Sequence, residues 1–308
     1  MQARVISSSS SSGGGGACAT TYEHGAHLTG WKASFDGDKD AVDVIFTSGS
    51  AIFKPPKAIR GGIPVCWPQF ANYGPLELQH GFARNCAWKV TDEKEGSIEY
   101  TLTYDDIDDE QKAMVPGPFT LKIRHVVVDG TRMRTYMSVT NESEKELEFT
   151  TALHTYFVVG DITKTSVSGC KGLSYLDAPP HGSASSDRVL VDEDKDEKIT
   201  FAGELDRIYF NTPNEVVIHD DARSLEIVVR KSIKGEEHLS ELPDAVVWNP
   251  WIDKSKATGD LGDDEYKGFV CVETASVKNK IKVPARGGWH GHGGWTWSTA
   301  HEIEVRKK

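Results

Sequence analysis

The chain has 308 residues, 38% of them hydrophobic and 26% charged, with a formal charge of -11 and a pI near 5.5. This composition supports a substantial core and excludes a disordered chain; with no apolar run long enough to cross a bilayer it also excludes a helical membrane protein, and its acidity excludes a non-specific nucleic-acid binder, which needs a concentrated basic face. Five scattered cysteines, Cys18, Cys66, Cys86, Cys170 and Cys271, lack CxxC spacing and cannot all pair, which predicts a reducing, cytoplasmic setting.

In chain order, MQARVISSSSSSGGGGACAT has no apolar stretch of the kind a secretory signal needs, although a transit role is not excluded. Its Ser/Gly run predicts a flexible segment over residues 1–16, ahead of one domain over residues 17–308. From Ala17 to Phe53, short apolar patches separated by Gly and Asp read as short strands and tight turns. Period-2 alternation rich in β-branched and aromatic residues predicts strands over Ser97–Tyr104, Phe119–Val128 and Thr131–Val139, with Asp129-Gly130 as a hairpin turn. Asp105–Glu110 reads as an acidic turn or short helical start.

Further strands are expected over Glu146–Val159, Lys198–Phe201, Asp206–Phe210, Glu215–His219, Ser224–Val229, Ala245–Trp248, Gly268–Val272 and Glu302–Val305, with a short helix or loop in Asp253–Tyr266. Without long amphipathic helices or a fixed repeat, this spacing implies an all-β fold: a large antiparallel sandwich or barrel.

One stretch stands apart. Lys54–Arg84, KPPKAIRGGIPVCWPQFANYGPLELQHGFAR, holds two arginines, a glycine pair and five prolines. So much proline rules out central strands and predicts a rigid loop that presents cationic and polar side chains.

Metal chemistry finds little support. Asp192–Asp196 mimics the start of a calcium loop, but Glu197 stands where that loop needs glycine. His290 and His292, with His301, could be grouped around a metal, yet GGWHGHGGW reads better as a surface loop. HExxH, GxSxG and GxxxxGK[ST] are absent.

His154 lies within an otherwise apolar and hydroxylic strand, TTALHTYFVV, and Glu273 ends the apolar run GFVCVETA. Each alone has an ordinary reading, as a satisfied core histidine or a strand-end glutamate. Together with Arg60 and Arg84 they suit one reaction class, in which a histidine and a glutamate exchange protons with a polyhydroxylated substrate and arginines clamp a phosphate.

FKPPKAIRGGIPVCWPQF, LQHGFAR, ALHTYF, VVWNPW and GDDEYKGFVCVETA, over about Tyr22 to Pro284, resemble the glucose-6-phosphate 1-epimerases, or hexose-6-phosphate mutarotases, of the aldose 1-epimerase-like superfamily. The resemblance implies a large antiparallel β-sandwich of the galactose-mutarotase type with few short helices. It further implies that His154 is the general acid, protonated, and Glu273 the general base, ionised. Arg60, Gln79, Arg84 and Asp206 match substrate-binding positions, and His80 matches a histidine near the ring oxygen; Lys57 is a third cation or a solvated lysine. No cofactor and no metal is implied. The expected partner is a hexose 6-phosphate, with no nucleic acid or membrane, and the expected state is a monomer. A mutarotase of unphosphorylated aldoses and a non-catalytic sugar-phosphate-binding protein stand as the alternatives.

Overall fold

A computed structural model describes residues 1–7, 16–35, 40–178, 187–287 and 294–308. Clean alternation builds a nine-stranded antiparallel sheet in the order Ile199–Thr200, Thr165–Ser168, Glu215–Asp220, Leu225–Arg230, Trp295–Lys307, Arg132–Asn141, Phe119–Val127, Ser97–Thr103, Lys89–Lys94. Along Phe119–Val127 and Arg132–Asn141 buried and half-buried residues strictly alternate, so one face is core and the other meets solvent. The Asp129-Gly130 turn joins this pair as the sequence predicts.

The second large sheet runs Val189–Val191, Tyr175–Asp177, Leu205–Tyr209, Asp244–Asn249, Phe269–Val283, Leu147–Leu153, Val65–Cys66, with Tyr156–Val158 also paired to Phe269–Val283. Its inner residues, among them Ala245, Val247, Val270, Val272 and Tyr209, share one hydrophobic cluster with Ile123, Met137, Ile227 and Ile303 of the nine-stranded sheet. The fold is therefore an all-β antiparallel sandwich. A third sheet of four strands, Ala3–Ser7, Cys18–Tyr22, His27–Ala33 and Val42–Asp43, packs into the same core. Among the described residues helix is confined to short pieces such as Asp109–Lys112, in the acidic stretch expected to form a turn or short helical start, and Trp251–Ala257, where the sequence left helix or loop open. No described helix is long and apolar enough to cross a membrane.

Four expectations need correction. Ala3–Ser7, inside the predicted flexible segment, is a strand paired with Cys18–Tyr22; its one deeply buried residue, Ile6, is 3% exposed, and the partner strand supplies the rest of the ordering. Residues 8–15 of that segment lie outside the described residues. The short strands expected at Gly268–Val272 and Glu302–Val305 extend to Phe269–Val283 and Trp295–Lys307, because cross-strand partners sustain polar stretches that show no apolar alternation. Trp295, the last residue of the GGWHGHGGW stretch read as a loop, thus begins a strand, while His290 and His292 lie outside the described residues.

Finally, Glu146–Val159 is not continuous. It forms Leu147–Leu153 and Tyr156–Val158, interrupted at His154-Thr155. There the backbone turns its donors to the proline-rich loop: the His154 N–H donates to the Pro64 carbonyl and the Tyr156 N–H to the Gly62 carbonyl, both at 3.0 Å.

Candidate active site

The face of the eight-stranded sheet turned away from the shared core carries the site. Strand alternation puts Val270 and Val272 in the core and leaves Cys271 and Glu273 on the other side; likewise Asp206 and Ile208, and Val246 and Trp248, oppose the core-facing Tyr209 and Val247. Leu153 pairs with Thr274 and Tyr156 with Cys271 in one unbroken register, so the interruption sets His154 directly opposite Glu273.

His154 Nδ1 and Glu273 Oε1 are 3.3 Å apart, without the alignment of a hydrogen bond. Both residues are buried, at 8% and 1% exposure. The His154 ring stacks on Tyr156, centroids 4.9 Å apart and planes 9° from parallel, and meets Trp248 edge-on at 6.0 Å. An aromatic wall therefore fixes the imidazole plane.

Burial, then Arg84 and Arg60, push the His154 pKa well below its ordinary value. Burial, then the Asp206 carboxylate, push Glu273 well above its own, against the opposing pull of Arg188 and Arg84. Burial thus works against both the imidazolium and the carboxylate that the sequence resemblance implies, so the charged pair is disfavoured in the absence of a ligand. Low dielectric around both groups is the cause.

The loop supplies the cations. Arg60 leads into a backbone that only glycine can complete: Gly61 and Gly62 have φ of +102° and +69°, and a Cβ on Gly62 would lie 2.3 Å from the Leu28 carbonyl oxygen. Arg60 Nε donates to Asp260 Oδ1 at 3.0 Å, and Nη1 donates to the Tyr156 hydroxyl oxygen at 3.3 Å. Arg84, in the short 3-10 turn Ala83–Asn85, donates from Nη2 to the Gln79 carbonyl at 3.0 Å. Its Nε is buried and has no partner among the described residues, as have His154 Nδ1 and Glu273 Oε2. Three orphaned polar atoms on groups coupled to one another mark a place built for a polar ligand.

The other predicted residues fall around this centre. His80 packs its ring 5.4 Å from that of His154 and holds a left-handed backbone at φ 67°. Ala71 N–H donates to its Nδ1 at 3.2 Å, which leaves the ring proton on Nε2. Gln79 is exposed, and what it contributes to the arrangement is its backbone carbonyl. Lys57 is mostly exposed, its Nζ 4.0 Å from Asp260. Asp206 is held by Arg188, whose Nη2 donates to Oδ1 at 2.7 Å and Nη1 to its carbonyl at 2.9 Å.

Tyr156, Trp248, Asp260 and Arg188 went unassigned in the sequence. Tyr156 and Trp248 lie in the quoted ALHTYF and VVWNPW blocks, but an aromatic in a strand reads first as core. Arg188 and Asp260 sit in polar stretches without local pattern. As for metals, no cluster of three or more potential ligands exists among the described residues. His301 is a core residue with Nδ1 3.3 Å from the Thr274 hydroxyl, and Asp194 accepts from the Tyr209 hydroxyl at 2.6 Å.

The family model for aldose 1-epimerase matches residues 10–288. The chain belongs to the aldose 1-epimerase family. Its relatives include an Escherichia coli K12 protein named "Putative glucose-6-phosphate 1-epimerase", 39% identical over 264 residues, 84% of this chain and 80% of the relative. A Cenchrus ciliaris protein of the same name is 35% identical over 282 residues, 89% of this chain and 79% of that one. Among solved structures, that of a "putative mutarotase" from Salmonella typhimurium superposes with a TM-score of 0.74 at 29% identity, covering 99% of this chain and 90% of that one. The mutarotase-like sandwich and membership of an enzyme family of sugar epimerases agree with the resemblance seen in the sequence.

Proposed function

We propose that this aldose 1-epimerase family member interconverts the α and β anomers of glucose 6-phosphate, with His154 and Glu273 moving the protons and Arg60 and Arg84 holding the phosphate. The observation that carries the reading is the meeting, in one buried place, of a face-to-face imidazole and carboxyl with two arginines that retain unused donors. The names borne by the relatives support the choice of sugar.

The chemistry needs one transferable proton on the pair. With it on His154, the Glu273 carboxylate takes the C1 hydroxyl proton while His154 Nε2–H gives its proton to the ring oxygen, and the bond between C1 and the ring oxygen breaks. The aldehyde turns about C1–C2. The ring oxygen then adds to the opposite carbonyl face, returning its proton to His154 as the new C1 oxygen recovers one from Glu273. Each such transfer contributes roughly 10²–10⁴-fold. In this reading Asp206, pinned by Arg188, and His80 through Nε2–H hold sugar hydroxyls or the ring oxygen, and Gln79 contributes the backbone carbonyl that accepts from Arg84. The five free cysteines support a cytoplasmic setting.

Magnetisation-exchange NMR with glucose 6-phosphate tests the proposal: the protein accelerates anomer exchange well beyond the spontaneous rate, and no acceleration refutes it. A mutarotase of unphosphorylated sugars would instead keep its activity on glucose in Arg60→Ala and show no preference for the phosphorylated substrate. A mere binding protein has no use for Glu273, whose unpaired burial costs stability.

A further inference from the structure

A chain of contacts runs from the clamp to the acid–base pair. Arg60 Nη1 touches the Tyr156 hydroxyl at 3.3 Å, the Tyr156 ring lies flat against His154 at 4.9 Å, and His154 Nδ1 faces Glu273 Oε1 at 3.3 Å. Tyr156 is buried on all sides: Trp248 meets it edge-on at 5.9 Å, Phe269 packs at 5.4 Å, and Phe46 stacks at 6.5 Å. Such a ring has one orientation, and whatever moves or discharges Arg60 is felt by His154.

We infer that the phosphate of the substrate is an activator of the acid–base pair as well as a handle: anion binding at Arg60 and Arg84 draws the shared proton from Glu273 to His154, with Tyr156 as the link. The inference rests on the hexose-phosphate reading above. In the transfer the Glu273 carboxyl, 3.3 Å from Nδ1, first turns into line with it; the Glu273 O–H bond then breaks and the His154 Nδ1–H bond forms, giving a carboxylate and an imidazolium with no other reagent.

The asymmetry of the charges sets the direction. Arg84 and Arg60 both oppose a charge on His154, and the contacts from Arg60 run through the Tyr156 hydroxyl and ring to the imidazole before they reach Glu273. An anion that neutralises both clamp arginines therefore relieves His154 of two opposing cations. A second consequence is selectivity in the chemical step: a sugar without phosphate leaves the pair in its neutral, unproductive form. Binding energy from a part of the substrate remote from C1 is thereby used at C1. Asp260 keeps Arg60 in place for this role.

The test divides the substrate into two pieces. Anomer exchange of glucose is measured with and without phosphite dianion, subtracting exchange in phosphite alone, for the wild-type protein and for Tyr156→Phe, which keeps the stack and removes the hydroxyl. We expect phosphite to raise kcat/KM for glucose at least tenfold and saturably, and Tyr156→Phe to reduce that activation below threefold while phosphite inhibits glucose 6-phosphate exchange within threefold of its wild-type potency. Phosphite that inhibits glucose 6-phosphate exchange yet leaves glucose exchange unchanged overturns the inference, and this arm needs no variant. Full activation in Tyr156→Phe overturns the role of Tyr156. Absence of glucose 6-phosphate exchange by the wild-type protein is a different failure, that of the proposed function itself.

Discussion

On the nine-stranded sheet charges stand at the solvent face and answer one another. Arg134 pairs with Glu302 at 2.7 Å and Glu236 at 3.2 Å, and Arg230 with Glu215, Glu302 and Glu304 at 2.7, 3.1 and 2.7 Å. On the eight-stranded sheet the run Phe269–Val277 is buried at every residue, core on one side and the proline-rich loop on the other, and its one charge-bearing side chain, Glu273, has an oxygen without a partner. The same residue type is satisfied in one sheet and left wanting in the other. Unsatisfied burial is costly in the folded state, so its presence on the inner sheet points to a ligand and a reaction, whereas the outer ladder needs no explanation beyond stability.

Glu273→Gln breaks the comparison most sharply. It should lower anomer exchange by roughly 10²–10⁴-fold and, because a neutral amide has no solvated charge to give up on burial, stabilise the fold by about 1 kcal/mol; NMR exchange and urea unfolding measure the two. A loss of both activity and stability would give Glu273 a structural role instead.

Acid unfolding comes next. His125 and His301, on the inner face of the nine-stranded sheet, and His27, on the four-stranded sheet, are held by burial at about 4, about 3 and about 3, against 6.5 when exposed. Between these limits the unfolded chain binds more protons than the folded one. Stability is therefore complete above about pH 6.5 and falls as the pH drops toward 4, by roughly 4 kcal/mol per pH unit for three protons. Urea midpoints across this range check the slope.

Arg60→Ala should raise KM for glucose 6-phosphate by roughly 10–100-fold, the value of a lost charge-assisted clamp, with a smaller change for glucose. Glu302→Gln, in the outer ladder, should cost about 1–2 kcal/mol of stability by leaving Arg134 and Arg230 short of a partner, with exchange kinetics unchanged. Smallest is Lys282→Ala: its contacts to Glu146 and Glu148 are exposed and screened by solvent, and the urea midpoint should not move measurably.

How far the sequence reaches differs between elements. Alternation identified Phe119–Val127 and Arg132–Asn141 almost to the residue, because half-buried strands advertise their period. The inner strands are buried on both faces and lose that signature, so the length of Phe269–Val283 and the interruption at His154 were invisible. The pKa shifts of His154 and Glu273 were invisible for a related reason: side chains take their ordinary values only where water reaches them, and burial is a property of neighbours, not of the residue.

By itself, the sequence determined an antiparallel sandwich or barrel, narrowed to a sandwich by its family resemblance, together with the stiffness of the Lys54–Arg84 loop and the residue types for acid–base and anion chemistry, since periodicity, proline content and side-chain chemistry are local. Only the tertiary structure decided that His154 stands opposite Glu273, that Tyr156 bridges the clamp to them, and that Asp260, 200 residues along the chain, holds Arg60. Strand register and loop docking are relations between distant segments, and no local pattern encodes which residue faces which.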